Sequence, residues 1–282
     1  MRGLDGAAVI PGAPLMVPAA SPDQPADIRG EVAELRHLAN RALADLPDSD
    51  VVVLVAAGPR GIFDRAIASL APLGVEGAEV ELPVATDAVD DLSRLTQYPM
   101  FRGDPLTLSH SALALQLHAV RGTTTVLPVN VPPNTDFEVL VSVGASIGEA
   151  FREAGLVAAV VAAGDLSAGL SQRSPAHAIE GASQWDAAVV AAVKDGDLRR
   201  LAGLGPDAAE RVRALGWAPL AVVHGVCAAG RLTPQLLGYG APRGVGELVA
   251  LCVGAGRGEQ EPYEVAATQR EGVVRRTGDR RG

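Results

Sequence analysis

The stretch "AAGDLSAGL", Ala162 to Leu170, sets an acid and a hydroxyl directly after an apolar run. In parallel α/β proteins, ligands collect at the carboxyl ends of strands, so Asp165 and Ser167 are candidate catalytic residues. A second reading makes one of them a helix N-cap, accepting hydrogen bonds from free N–H groups of the next turn. His224, in "VHGVC", stands three residues before Cys227. A Cys–His nucleophile pair needs contact in space, which sequence proximity does not establish. Another strand end, "AAGPRG" (Ala56 to Gly61), lacks the lysine and hydroxyl of a phosphate loop. Arg60 there offers a cation to an anion, or is a surface arginine. Gly12, in "AAVIPGAPLMVP", ends the first apolar run between two prolines. Gly12, Gly58 and Arg60 are the candidate ligand-binding positions.

Metal chemistry finds little support in spacing. His110 and His118 are eight positions apart, which is not the i, i+4 pair of a zinc helix, and no H-E-x-x-H is present. His177 follows Pro175 and reads as loop surface. A centre of two histidines and one carboxylate would need His110 or His224 brought to Asp165 or Glu247.

The elements that must position these residues follow from periodicity. "VVVLVAAG" (Val51 to Gly58) and Leu156 to Ala163 are continuous apolar runs, as strands covered on both faces are. Shorter strands are expected at Ala7 to Ile10, Gly77 to Ala85, Thr124 to Pro128 and Val245 to Gly254. Apolar residues recur at helical spacing over Ile28 to Leu46, Asp104 to Val120 and Phe137 to Ala154. A further helix runs to about Val193, with a turn at "KDGD" and a short helix beyond it. Ala218 to Gly230 is apolar and rich in small residues, and is left between strand and helix. The alternation predicts an α/β fold: a single three-layer domain with a mostly parallel central sheet and helices on both faces. That domain is expected over 1–256. The polar, Arg-rich tail, 257–282, is expected to be a frayed, disordered terminus; the other reading, an arm for an anionic partner, is opposed by the acids interspersed among its arginines.

Bulk properties exclude several classes. The net charge of -9 opposes a phosphate backbone, so no nucleic acid is expected. No run reaches the roughly 18 apolar residues of a membrane span. Cys227 and Cys252 form no disulfide framework, which fits a reduced, cytoplasmic setting.

The order of these pieces resembles the class III extradiol ring-cleavage dioxygenase (LigB-like) superfamily and its Memo-like relatives, and within it the small actinobacterial members. The resemblance spans roughly Ala7 to Val253. It rests on "AAVIPGAPLMVP", "VVVLVAAGP", "HSALALQL", "AAGDLSAGL", "WDAAVVAAVKDGDLRRL" and "LLGYGAPRGVGELVA". It implies a metal-binding histidine where this chain has Gly12, a second near Gly58-Pro59-Arg60-Gly61, and another histidine where it has Ala168. All three matched places lack imidazole. The expectation is therefore a degenerate metal site with no cofactor, a small-molecule-binding or accessory role, and a small anionic or aromatic ligand. A homo-oligomer is left open as a partner, two-fold association being the common choice among soluble oligomers. Two alternatives stay open: an Fe(II)-dependent ring-cleavage dioxygenase with a relocated site, and a metal-independent hydrolase using Asp165, Ser167 and His224.

Overall fold

The structure is a computed structural model that describes residues 3–21, 25–103 and 105–254. The tail expected over 257–282 lies outside the described residues. Among the described residues the strands are β1 (Leu4–Ile10), β2 (Val51–Ala57), β3 (Gly61–Phe63), β4 (Ala66–Ser69), β5 (Glu79–Leu82), β6 (Met100–Phe101), β7 (Val126–Val131), β8 (Ala158–Ala163), β9 (Leu232–Gly240) and β10 (Glu247–Gly254). The helices are α1 (Ala26–Ala44), α2 (Thr86–Thr96), α3 (Leu108–Arg121), α4 (Phe137–Glu153), α5 (Ala182–Lys194), α6 (Gly205–Arg211) and α7 (Trp217–Gly230).

Eight strands form one sheet in the order β6-β3-β7-β2-β8-β1-β10-β9. Its centre, β7-β2-β8-β1, is parallel throughout. The flanks are where the direction changes: β3 runs antiparallel to β7, and β10 and β9 run antiparallel on the other side. The apolar runs read from the sequence explain the centre. In β2 and β8, alternate side chains enter opposite cores. Val53, Val55, Val160 and Ala162 face the layer of α4, α5 and α7. Val52, Leu54, Ala159 and Val161 face the layer of α1 and α3. A fully buried valine or leucine stabilises by about 1.5–3 kcal/mol, so both faces must be covered. This is the three-layer α/β arrangement expected from the sequence.

Two local expectations change. The strand expected over Gly77 to Ala85 contributes β5, which pairs with β4 in a separate two-stranded sheet. The stretch Ala218 to Gly230 is helical, as α7. A helix packed on the sheet, on α4 and on the turn at Leu198–Gly203 is buried nearly all round, so it carries no amphipathic stripe. Its small residues serve close packing. A Cβ on Gly225 would strike the carbonyl oxygen of Val141, and one on Gly144 would lie 2.8 Å from the backbone nitrogen of Val226. The two helix backbones therefore touch.

Gly225→Ala should accordingly destabilise by ~1–3 kcal/mol, because the helices must separate. Gly30→Ala, in α1 with nothing within 4 Å of the added carbon, should stabilise by ~0.5–1 kcal/mol. Thermal unfolding of the two variants checks the opposite signs.

Candidate functional site

The carboxyl ends of the central strands carry the polar groups that the strands cannot hold inside. At the end of β1, the Gly12 N–H donates to Asp165 Oδ2 at 3.2 Å. A Cβ on Gly12 would strike Ser109 Oγ and lie 2.7 Å from Asp165 Oδ2. The proline-bracketed glycine is thus the gap through which α3 and the end of β8 approach the β1 backbone. Asp165 also forms an antiparallel bridge with Glu247, the first residue of β10. Residues opposed across an antiparallel bridge point to the same face, so the two carboxyl groups are neighbours. Burial pushes Asp165 up to about 6, against the lowering effect of Glu247 and the Gly12 N–H. Burial, then the neighbouring Asp165, pushes Glu247 well above the usual carboxylate range. Glu247 is 1% exposed and its Oε2 has no hydrogen-bond partner.

The capping reading of Asp165 and Ser167 is corrected by this geometry. No helix begins there: the chain loops from Leu166 to Gly181 before α5 starts at Ala182. Ser167 is fully buried, and its N–H donates to Asp186 Oδ1 at 3.0 Å. Tyr239 donates its hydroxyl to Asp186 Oδ2 at 2.7 Å. Asp186 is raised by burial, partly offset by those donors.

At the end of β2, a Cβ on Gly58 would lie 2.6 Å from Asn130 Nδ2. Asn130 is 1% exposed and its Oδ1 lacks a partner. His110, in the first turn of α3, is enclosed. Its Nε2 lies 3.1 Å from the Leu54 carbonyl oxygen, and its Nδ1 lies 3.2 Å from Thr107 Oγ1. A carbonyl only accepts, so Nε2 carries the hydrogen and Nδ1 accepts from the threonine. Burial lowers the ring to about 4.

The structure brings Gly12 and Asp165 together, and sets Gly58 two strands away on the same edge. It does not gather the rest. Arg60 extends to the opposite face of the sheet, where its guanidinium sits 5.7 Å from the centre of the Tyr98 ring. It lines a cleft of about 280 Å³ with Thr96, Tyr98, Asn134, Thr135 and Ser146. His224 is on α7, not after a strand, and stacks on Phe137 at 5.6 Å. It lies roughly 12 Å along the helix from Gly216, whose N–H donates to the Asp165 carbonyl. Burial lowers His224, while Asp197 and Glu138 raise it. Asp165, Ser167 and His224 therefore form no hydrogen-bonded relay. Ser109 and Asn130 are site neighbours that the sequence reading misses. The available signal for Asn130 is an amide inside the apolar run "VLPVNV".

An Fe(II) centre of two histidines and one carboxylate does not fit these residues. The matched corners offer glycine, Gly-Pro-Arg-Gly and alanine. Both nitrogens of His110 are engaged, and His224 is on the other face. Among the described residues, no three His, Cys, Asp or Glu side chains form a metal-holding group.

The fold and its strand-end polar groups define a three-layer α/β protein. No family model and no curated protein matches the chain. Among solved structures it is similar to the crystal structure of uncharacterized protein JW3007 from Escherichia coli K12. That likeness has a TM-score of 0.56 at 14% identity and covers 89% of this chain and 100% of the other. It speaks for the fold alone. Among the described residues, no helix is long and apolar enough to cross a membrane.

His110 gives a test of the enclosed edge. Its folded value of about 4 lies below its ordinary 6.5. Its contribution is therefore complete above pH 6.5 and is lost as pH falls toward 4, by about 3 kcal/mol. The stability difference between the wild type and His110→Gln, measured by urea unfolding, should shrink across that window. The ring should titrate by NMR with a midpoint near 4.

Proposed function

We propose that this is a cytoplasmic small-molecule-binding protein whose ligand is a small anion held at Arg60, in a binding or accessory role that needs no metal. The observation that carries the reading is the Arg60 cleft. Among the described residues Arg60 has no ion-pair partner, while it faces a polar recess of ligand size. Ser142 and Thr96, also in the lining, donate their hydroxyls to the carbonyls of Val139 and Leu92. Donation to a ligand falls to Arg60, Asn134, Thr135 and Ser146. The guanidinium presents paired N–H groups that suit a carboxylate or phosphate. Burial raises the Tyr98 phenol, so it stays neutral beneath the cation. The lack of imidazole at Gly12, Arg60 and Ala168 supports the absence of iron chemistry.

Calorimetric titration with inorganic phosphate and simple carboxylates tests this. Arg60→Met should weaken the anion that binds by ~10–100-fold, the loss of one charge-assisted contact. Binding untouched by Arg60→Met would remove the reading. So would near-stoichiometric, tight Fe(II) in an anaerobic titration, which would restore the dioxygenase alternative.

A further inference from the structure

Asp165 and Glu247 stand opposite each other across an antiparallel bridge, which sets their carboxyl groups side by side, with Glu247 1% exposed. Ionised carboxylates only accept hydrogen bonds and repel each other, so two neighbouring carboxyl groups so enclosed are joined only while they hold a proton between them. The contact closes the place where four segments meet, the ends of β1 and β8, the start of β10 and the start of α7. Asp165 Oδ2 takes the Gly12 N–H, and the Asp165 carbonyl takes the Gly216 N–H at 2.6 Å. Around the pair, Leu166 N–H donates to Gly246 O at 2.7 Å, Gly246 N–H to Ser167 O at 2.9 Å, and Leu248 N–H to Gly164 O at 3.0 Å.

The groups that face the pair are known from every side. Ser109 approaches Asp165 from α3, with His110 behind it held neutral. Asp186 acts on Glu247 from α5, and Tyr239 neighbours both from β9. Glu31, from α1, accepts the Ala241 N–H at 2.6 Å just beyond β9. None of these groups is a cation. The positive end that reaches the pair is the amino-terminus of α7, at the Asp165 backbone. It favours Asp165 as the member that ionises first and leaves the proton on Glu247.

We propose that the Asp165–Glu247 pair is a proton-operated latch: one shared proton holds β1, β8, β10 and α7 together at the strand ends, and its loss opens that corner. Without the proton, two neighbouring anions, Glu247 buried and Asp165 half-buried, sit beside a third carboxylate, Asp186. Their repulsion acts across the short bridge between Gly164 and Leu248, while the central strands stay paired. The direction follows from burial. Both groups sit above their ordinary values: Asp165 gives up its proton near 6 while Glu247 keeps the shared one, so the closed state is fully present in acid and is lost only as pH rises through the still higher range to which burial and the Asp165 charge push Glu247. The two protons belong to the pair, and release of the second opens the latch. This inference is independent of the anion reading at Arg60, which lies on the other face.

Hydrogen exchange read by mass spectrometry, corrected for the intrinsic pH dependence, tests the latch from about pH 5 to about pH 9. In the wild type, peptides covering Gly12, Asp165 to Ser167 and Gly246 to Leu248 should lose at least ~10-fold in protection as pH rises, while Val51 to Ala57 does not. Glu247→Gln keeps a donor toward Asp165 at every pH and should abolish the change. Asp165→Asn should do the same, and serves if the first variant does not fold. Trp217, next to Gly216, gives an independent fluorescence signal of the same transition. Protection flat with pH in the wild type would overturn the proposal. An equal loss in both variants, or an equal loss at Val51 to Ala57, would also overturn it.

Discussion

Four central strands buried on both faces leave polar side chains nowhere to go but the strand ends. Inside β2 and β8 every described residue up to Ala56 and through Ala163 is buried and apolar. A polar group there, without a partner, would cost on the order of 1–3 kcal/mol. The polar groups therefore appear where each strand leaves the sheet, and glycine marks several of those exits. Gly12 admits Ser109 and Asp165, and Gly58 admits Asn130. Gly164 lies where a Cβ would meet the Leu248 carbonyl at 2.5 Å. Each glycine replaces a side chain with a close backbone approach, so the edge is tightly packed where an open metal pocket would need room.

The same sheet keeps opposite charges apart. Side chains alternate across it, so the loop after β2 sends Arg60 to the α4 face while Asp165 and Glu247 lie toward α3. The acid pair is enclosed at one part of the edge, and Arg60 faces an open cleft at another. An arginine next to the acid pair would ionise both carboxyls and replace their shared proton with a salt bridge. Its position across the sheet preserves both the proton and the free guanidinium.

The centre of the fold is legible in the sequence because β2 and β8 bury both faces and α4 only one. A run such as "VVVLVA" and a stripe such as Leu140, Val143, Ile147 and Phe151 each leave a period, or a lack of one, that only one element explains. The helix α7 is not legible, since burial all round erases its period. The site is partly legible. Asp165 stands out as an acid after a buried strand, and Gly12 as a corner without a side chain. Their mutual bond joins residues 153 positions apart, which no local pattern encodes. The helix that the capping reading needs is displaced by a long loop, because β8 is followed by the bridge to β10 before the chain turns back. Arg60 reads from the sequence as a candidate ligand-binding position together with Gly12, and the two part company where the chain leaves β2 and β3 reverses direction against β7.

The enclosed edge holds two kinds of buried group whose protons pull stability in opposite directions. His110 is held neutral, so folding is weakened as acid charges the unfolded ring and not the folded one. Asp165 and Glu247 keep their protons to higher pH than the unfolded acids do, so folding is weakened as rising pH ionises the unfolded acids first. The His110 window runs between about 4 and 6.5 and the Asp165 window between 3.8 and about 6, so the two slopes offset each other where they overlap. Glu247 adds a second falling slope from its ordinary 4.5 upward, and it continues above both windows. A decline that sets in within mild acid, softened there by His110, and continues toward alkali is therefore what this arrangement produces. The place where that decline begins locally is the corner at Gly12, because it is the acid pair, and not the imidazole, that ties separate strands together.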